Sequence, residues 1–249
     1  MATERAMTEP RTAALLGSEI ANTTCAIVWF RHDLRVHDHL PLLAASRAAG
    51  MLSVYCLPPS WLKLGPAGVA RIGPHRLAHL GQALQGLRDS LAALGNDLIV
   101  MVAEPAQALA ALSRVLNDAP VHVHAHPGWE ERQSLATLRE QGICVHEHQG
   151  GGLFDPARLP FALDPFPVPF SHFRKRIEAA EWPSLQALAA PTRLPPSVAL
   201  PVDFYLAERQ QALSLLDPAQ AIDVPHSALP YADARWQGHE KAGLAHVLG

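Results

Sequence analysis

Ala26-Ile27-Val28-Trp29-Phe30-Arg31-His32-Asp33-Leu34-Arg35-Val36-His37-Asp38 passes without a break from an apolar run into alternating charges. Residues 26–30 are short and continuously apolar, the pattern of a strand buried on both faces of a parallel sheet. Similar runs recur at 52–57, 97–102, 121–125 and 143–148. The stretches between them have helical spacing. Residues 41–49 are short, and 74–94 place Leu77, Leu80, Leu84, Leu87, Leu91 and Leu94 at steps of three and four. Gly95-Asn96 then supplies a stop signal. Residues 105–116 start on a proline, and 129–141 end at Gly142. This alternation predicts right-handed βαβ units, hence an α/β fold: a Rossmann-like open five-stranded parallel sheet with helices on both faces.

The texture changes after Gln149. Gly150-Gly151-Gly152 opens a proline-rich C-terminal extension, with helices expected at 170–180 and 202–216. Such a segment makes no large core of its own, so it is expected to wrap over the α/β domain or a partner. The domain reading is a disordered or weakly helical leader over 1–24, an α/β domain over 25–150 and the extension over 151–249. A transit peptide is the alternative reading of the leader. The composition fits a soluble globular protein, with 49% hydrophobic and 17% charged residues. A net charge of −3 excludes a global basic field for gathering DNA. Cys25, Cys56 and Cys144 are too scattered for a disulfide framework or a zinc motif, and no apolar stretch is long enough to span a membrane. A reduced cytoplasmic protein is expected. GxSxG, P-loop, HExxH and GxGxxG signatures are absent, which removes the standard hydrolase and dinucleotide cradles.

Ligands of open α/β sheets sit beyond the carboxyl ends of the strands. Arg31, Asp33, Arg35 and Asp38 fall at that edge, either as ligand contacts or as an ion-pair network pinning the first loop. His122, His124 and His126 alternate along one strand, and His146 and His148 repeat the spacing on the next. Histidines at i and i+2 can chelate zinc or nickel, but no carboxylate or cysteine stands at matching spacing, so no metal is assigned. Arg174, Lys175 and Arg176, with Arg71 and Arg76, read as phosphate contacts. They also read as the solvated side of a helix whose Phe170, Phe173 and Ile177 face the core. Trp61, Trp182 and Trp236 are isolated.

Trp29-Phe30-Arg31-His32-Asp33-Leu34-Arg35-Val36-His37-Asp38 resembles the opening signature of the photolyase/cryptochrome family, Trp-Phe-Arg-x-Asp-Leu-Arg-x-x-Asp. Val54-Tyr55-Cys56, Ile72-Gly73-Pro74-His75-Arg76 with its leucine-rich helix, and Phe170-Ser171-His172-Phe173-Arg174-Lys175-Arg176-Ile177-Glu178 are similar to DASH-type members. Residues 238–248 resemble the start of the helix leading to the family's flavin domain. The resemblance implies the antenna-type N-terminal domain, without the FAD-binding domain, and so no repair of pyrimidine dimers by this polypeptide alone. It implies a flavin, deazaflavin or folate antenna, FAD only through a separate FAD-binding photolyase-domain polypeptide, and DNA contact only through that partner. A folate site uses a glutamate shortly after the fourth strand. Gly128 falls there, with Glu130 and Glu131 close by. A flavin-type pocket needs only this domain, with Phe30, Arg31, Asp33, Arg35, Tyr55 and Cys56 as candidate residues. Ordinary core packing is the competing reading of the same residues. Phe161, Phe166, Phe170, Phe204 and Tyr205 fit a partner interface. A stand-alone flavin or nucleotide binder or a protein-interaction module is the alternative function.

Overall fold

The computed structural model describes residues 25–150, 152, 154, 159–164, 169–180, 187–217 and 237–248. The expected leader, Phe166, Trp182 and Trp236 lie outside the described residues. The elements are β1 (Cys25–Phe30), α1 (Leu40–Ala45), β2 (Gly50–Leu57), α2 (Pro74–Ala93), β3 (Leu98–Val102), α3 (Pro105–Val115), β4 (Val121–His124), α4 (Trp129–Glu140), β5 (Val145–His148), α5 (Phe170–Ala179), α6 (Leu206–Leu215) and α7 (Glu240–Leu248).

The five strands form one sheet in the order β3-β2-β1-β4-β5, and every pairing is parallel. β1 and β2 are apolar on both faces because both faces are covered. Ala26, Val28, Phe30, Met51 and Tyr55 pack with α2 and α6, while Ile27, Trp29, Leu52, Val54 and Cys56 pack with α3 and α4. β4 breaks this rule on one side. Val121 and Val123 enter the α3/α4 core, and the alternate positions hold buried His122 and His124.

The extension is tied to the sheet. Leu194 N–H donates to Leu94 O at 2.8 Å, Met51 N–H to Pro196 O at 3.1 Å and Val198 N–H to Met51 O at 3.3 Å. Asn96 is buried behind this strap. It accepts from Ser53 Oγ at 2.9 Å and donates to Met51 O at 3.1 Å and Pro195 O at 2.9 Å. The Gly95-Asn96 pair therefore stops a helix, with Gly95 at φ +89°, and also ties the strap to the sheet.

Several expectations differ in detail. β4 ends at His124 rather than Ala125, because His126 precedes Pro127, which restricts the backbone and has no ladder donor. The helix expected from 202 starts at Leu206, because Tyr205 takes a left-handed conformation at φ 46°. Phe204 and Tyr205, expected at a partner interface, are half-buried and pack against the α3/α4 core. On α5, Ile177 is buried but Phe170 is 71% exposed, so only part of the expected apolar face is covered. Among the described residues no helix is long and apolar enough to cross a membrane.

Candidate functional site

The chain order reverses between β1 and β4, which places the topological switch point beyond Phe30 and His124. A cavity of about 240 Å³ opens there. Trp29, Tyr55, Trp61 and Trp129 give it aromatic walls, Cys56 and Pro105 line it, and Arg31, His32, Arg71, Glu104, Glu130 and Glu131 carry its charge. A wider groove of about 740 Å³ lies along α6, but it is open and edged by Glu104, Asp203 and Glu208. The smaller cavity has aromatic walls and a cationic Arg31 on its inner side, which suit a planar polar ligand better than the open groove does.

Arg31 is the cationic group of the inner wall. Its guanidinium lies 4.8 Å over the Trp29 ring, and one nitrogen, Nη2, donates to the carbonyl oxygen of His124. Burial pushes Arg31 below the usual guanidinium range, and Asp33, Glu131 and Glu147 partly oppose that. Arg31 Nη1 and Trp29 Nε1 are buried donors with no hydrogen-bond partner among the described residues. Buried donors are normally paired, so this wall suits a ligand that brings acceptor oxygens or nitrogens. Burial raises Tyr55 above the ordinary phenol range and pushes the Cys56 thiol up to about 12, so both stay neutral.

Behind this wall is a buried cluster. Asp33 accepts from Arg31 N–H at 2.8 Å and from His124 Nδ1 at 2.5 Å, and His39 Nε2 lies 2.9 Å from the same carboxylate. His39 Nδ1 accepts from Leu42 N–H at the start of α1. In the neutral ring this fixes the proton on Nε2, facing Asp33. Burial alone would raise Asp33, but the two histidines outweigh it and hold the carboxyl well below its ordinary range. Burial lowers His39 below the ordinary imidazole range against the pull of Asp33.

Across the mouth, Arg71 makes a bidentate pair with Glu130 at 2.7 Å for both bonds, and Arg71 and Arg76 stand over Trp61. Glu131 accepts from His32 Nε2 at 2.8 Å and lies 3.5 Å from His126 Nδ1. Both acids near the folate-type position are therefore already engaged. They sit in the first turn of α4, where the helix dipole favours them.

Arg31, Tyr55 and Cys56 thus line the cavity. Phe30 is fully buried and meets the His39 ring at 4.8 Å. Asp33 works from behind the wall. Arg35 turns away, donating to the carbonyls of His37 and Asp38, with Asp38 Oδ2 at 3.8 Å. The alternating charges are not one ion-pair network, since Asp33 pairs with histidines rather than with Arg31 or Arg35 side chains. His122 and His124 share a face with His148, whose Nε2 is 3.0 Å from His122 Nδ1, but His126 leaves the strand to join His32 and Glu131. Trp29, His32 and Trp129 are site residues that sequence reasoning missed, and Arg71, read as a phosphate contact, is paired with Glu130 at the mouth. The Trp29-Phe30-Arg31 sequence was the available signal for Trp29. Nothing local marked Trp129.

The sequence profile of the DNA photolyase family matches residues 26–194. The chain is 34% identical to cryptochrome DASH of Gloeobacter violaceus over 239 residues, covering 91% of this chain and 44% of that protein. The crystal structure of the Synechocystis sp. cryptochrome superposes with a TM-score of 0.70 at 30% identity, over 90% of this chain and 45% of the other. The archaeal photolyase of Sulfolobus tokodaii, solved with two FAD molecules, shares the fold at a TM-score of 0.52 and 18% identity, over 74% of this chain and 41% of the other. The chain spans less than half the length of each of these three proteins.

Proposed function

The chain belongs to the DNA photolyase family, and from that premise we propose that its α/β domain holds a light-harvesting chromophore of the flavin class in the switch-point cavity. In this reading it acts with an FAD-binding photolyase-domain polypeptide in blue-light-dependent DNA repair or signalling. The observation that carries the reading is one wall with two buried, unpaired donors, Trp29 Nε1 and Arg31 Nη1, in a cavity with aromatic sides. Trp61, Trp129 and Tyr55 offer stacking surfaces to a planar ring. Arg31 offers its free N–H to a ring carbonyl or a phosphate oxygen. Burial keeps the Cys56 thiol protonated, so it packs against the ring without reacting with it. When bound, the chromophore supplies absorption of near-ultraviolet or blue light for transfer to FAD on the partner.

The cavity volume of about 240 Å³ suits a single ring system better than a complete dinucleotide. A deazaflavin satisfies the same donors. Folate is less suited, because Glu130 is held by Arg71 and Glu131 by His32. A second reading, a stand-alone flavin or nucleotide binder without photolyase activity, draws on the same fact that every wall comes from this chain. The test is the absorption spectrum of the purified protein from about 300 to 500 nm, with mass spectrometry of any released chromophore. A flavin or deazaflavin band supports the proposal. A folate band, or a colourless protein that also takes up no added flavin, overturns it.

A further inference from the structure

His126 lies just beyond β4, His32 just beyond β1, and Glu131 in the first turn of α4. The switch point brings His32 to the His126–Glu131 pair, with 99 residues separating His32 from Glu131. His32 Nε2 is 2.8 Å from Glu131 Oε1, His126 Nδ1 is 3.5 Å from Glu131 Oε2, and the two imidazole rings are 4.7 Å apart. One ligand atom from each residue lies within 4.8 Å of the others. Bonds of about 2.0–2.2 Å at a tetrahedral ion place its ligand atoms about 3.3–3.6 Å apart, so small side-chain rotations suffice to enclose an ion.

We propose that His32, His126 and Glu131 form a binding site for a divalent ion of the zinc class at the rim of the cavity. Two imidazoles and one carboxylate are the donor set of open zinc sites, in which a fourth position is left for an exchangeable ligand. His32 and Glu131 line the cavity, so that fourth position lies at its mouth, within reach of an anionic oxygen or water.

A second observation points the same way. A Cβ at Gly128 would overlap the Glu131 carboxylate and lie 2.9 Å from His126 Nδ1. Glycine at this helix start leaves the space in which the imidazole and the carboxylate converge without either having to move. The residues are also accessible, with side-chain exposures of 44% for His32 and 38% for His126. The neighbouring Glu130 is held by Arg71, whereas the contacts of Glu131 are with the two imidazoles that would share the ion. The other close group, Asp33, His39 and His124, is buried and its members are already bonded to one another. In the ion-free protein His126 Nδ1 accepts from Gly128 N–H at 3.1 Å, a bond that an ion would replace.

The test is titration of the tag-free, chelator-stripped full chain with Co²⁺ alone, followed by displacement with Zn²⁺. The expected result is one equivalent of Co²⁺ with a visible d–d band that Zn²⁺ removes. His32→Ala and Glu131→Gln should each weaken binding by at least about tenfold with unchanged circular dichroism. His146→Ala, on the strand face, should bind as the parent does. The proposal is overturned by no binding up to about 1 mM Co²⁺. It is also overturned by binding that survives in His32→Ala and Glu131→Gln, or by binding that is lost in His146→Ala, which would place the ion among the strand histidines. None of these readouts depends on a chromophore.

Discussion

Replacing Asp33 by Asn tests the wall behind the cavity most sharply. The carboxylate accepts from Arg31 N–H and His124 Nδ1 and lies 2.9 Å from His39 Nε2, and the residue is 9% exposed. An amide has one acceptor oxygen, and its NH₂ group would face at least one of these donors. His39 cannot adapt by changing tautomer, because its Nδ1 is committed to Leu42 N–H. One or more buried donors therefore lose their partner, and the charge-assisted bonds become neutral ones. Breaking a buried pair of this kind costs about 3–5 kcal/mol. For a chain of this size that corresponds to a fall in Tm of roughly 6–20 °C. The sign of the pH dependence follows from the direction of the shift. Asp33 titrates well below its unfolded value, so its contribution is complete above about pH 4 and is lost as pH falls through the folded value. The gap between parent and variant should persist from about pH 8 to 5 and should close only below about pH 4. Urea unfolding followed by circular dichroism at several pH values reads this directly. A loss under about 1 kcal/mol, or a gap that closes near neutral pH, would refute the assigned pairing.

Two further outcomes follow from the same geometry. Burial, then the neighbouring histidines, lower His122 to about 3 and His148 to about 4, so both favour the unfolded state once it begins to protonate. Their stabilisation is complete above about pH 6.5 and falls as pH drops toward the folded values, by about 2 kcal/mol each at pH 5. His122→Leu should remove about 2 kcal/mol of that acid loss, read as urea midpoints at pH 7 and 5, and an unchanged slope would contradict it. A Cβ at Gly81 would lie 2.5 Å from the Leu216 carbonyl oxygen, where α2 meets the end of α6. Gly81→Ala should therefore destabilise by about 1–3 kcal/mol despite the better helix former, whereas a gain would show that α6 shifts freely.

The sheet was legible because β1 to β3 are continuous apolar runs, and burial on both faces leaves no other use for such runs. Where polar residues enter the strands the pattern lost its meaning. His122 and His124 read as a possible chelating ladder, but the strand ends before His126, so the third histidine turns toward His32. Asp33 read as one member of a charge alternation. Its partners are His39, which lies off any periodicity, and His124, which is 91 residues away. The cavity was half legible. Arg31, Tyr55 and Cys56 follow from their places at strand ends, which the open-sheet rule marks. Trp129 and the Arg71–Glu130 pair depend on how α4 and the loop before α2 meet, and no local spacing encodes that meeting.

The central claim is that the switch-point cavity takes a flavin. Its most direct measurement is an equilibrium titration of the tag-free chain with FMN, read by quenching of flavin and tryptophan fluorescence and repeated with Arg31→Gln. The account predicts saturable one-to-one binding, weakened about tenfold to a hundredfold in the variant through loss of a hydrogen bond to a charged donor. No saturable binding up to about 1 mM FMN, or equal affinity in the parent and in a folded Arg31→Gln variant, would contradict it.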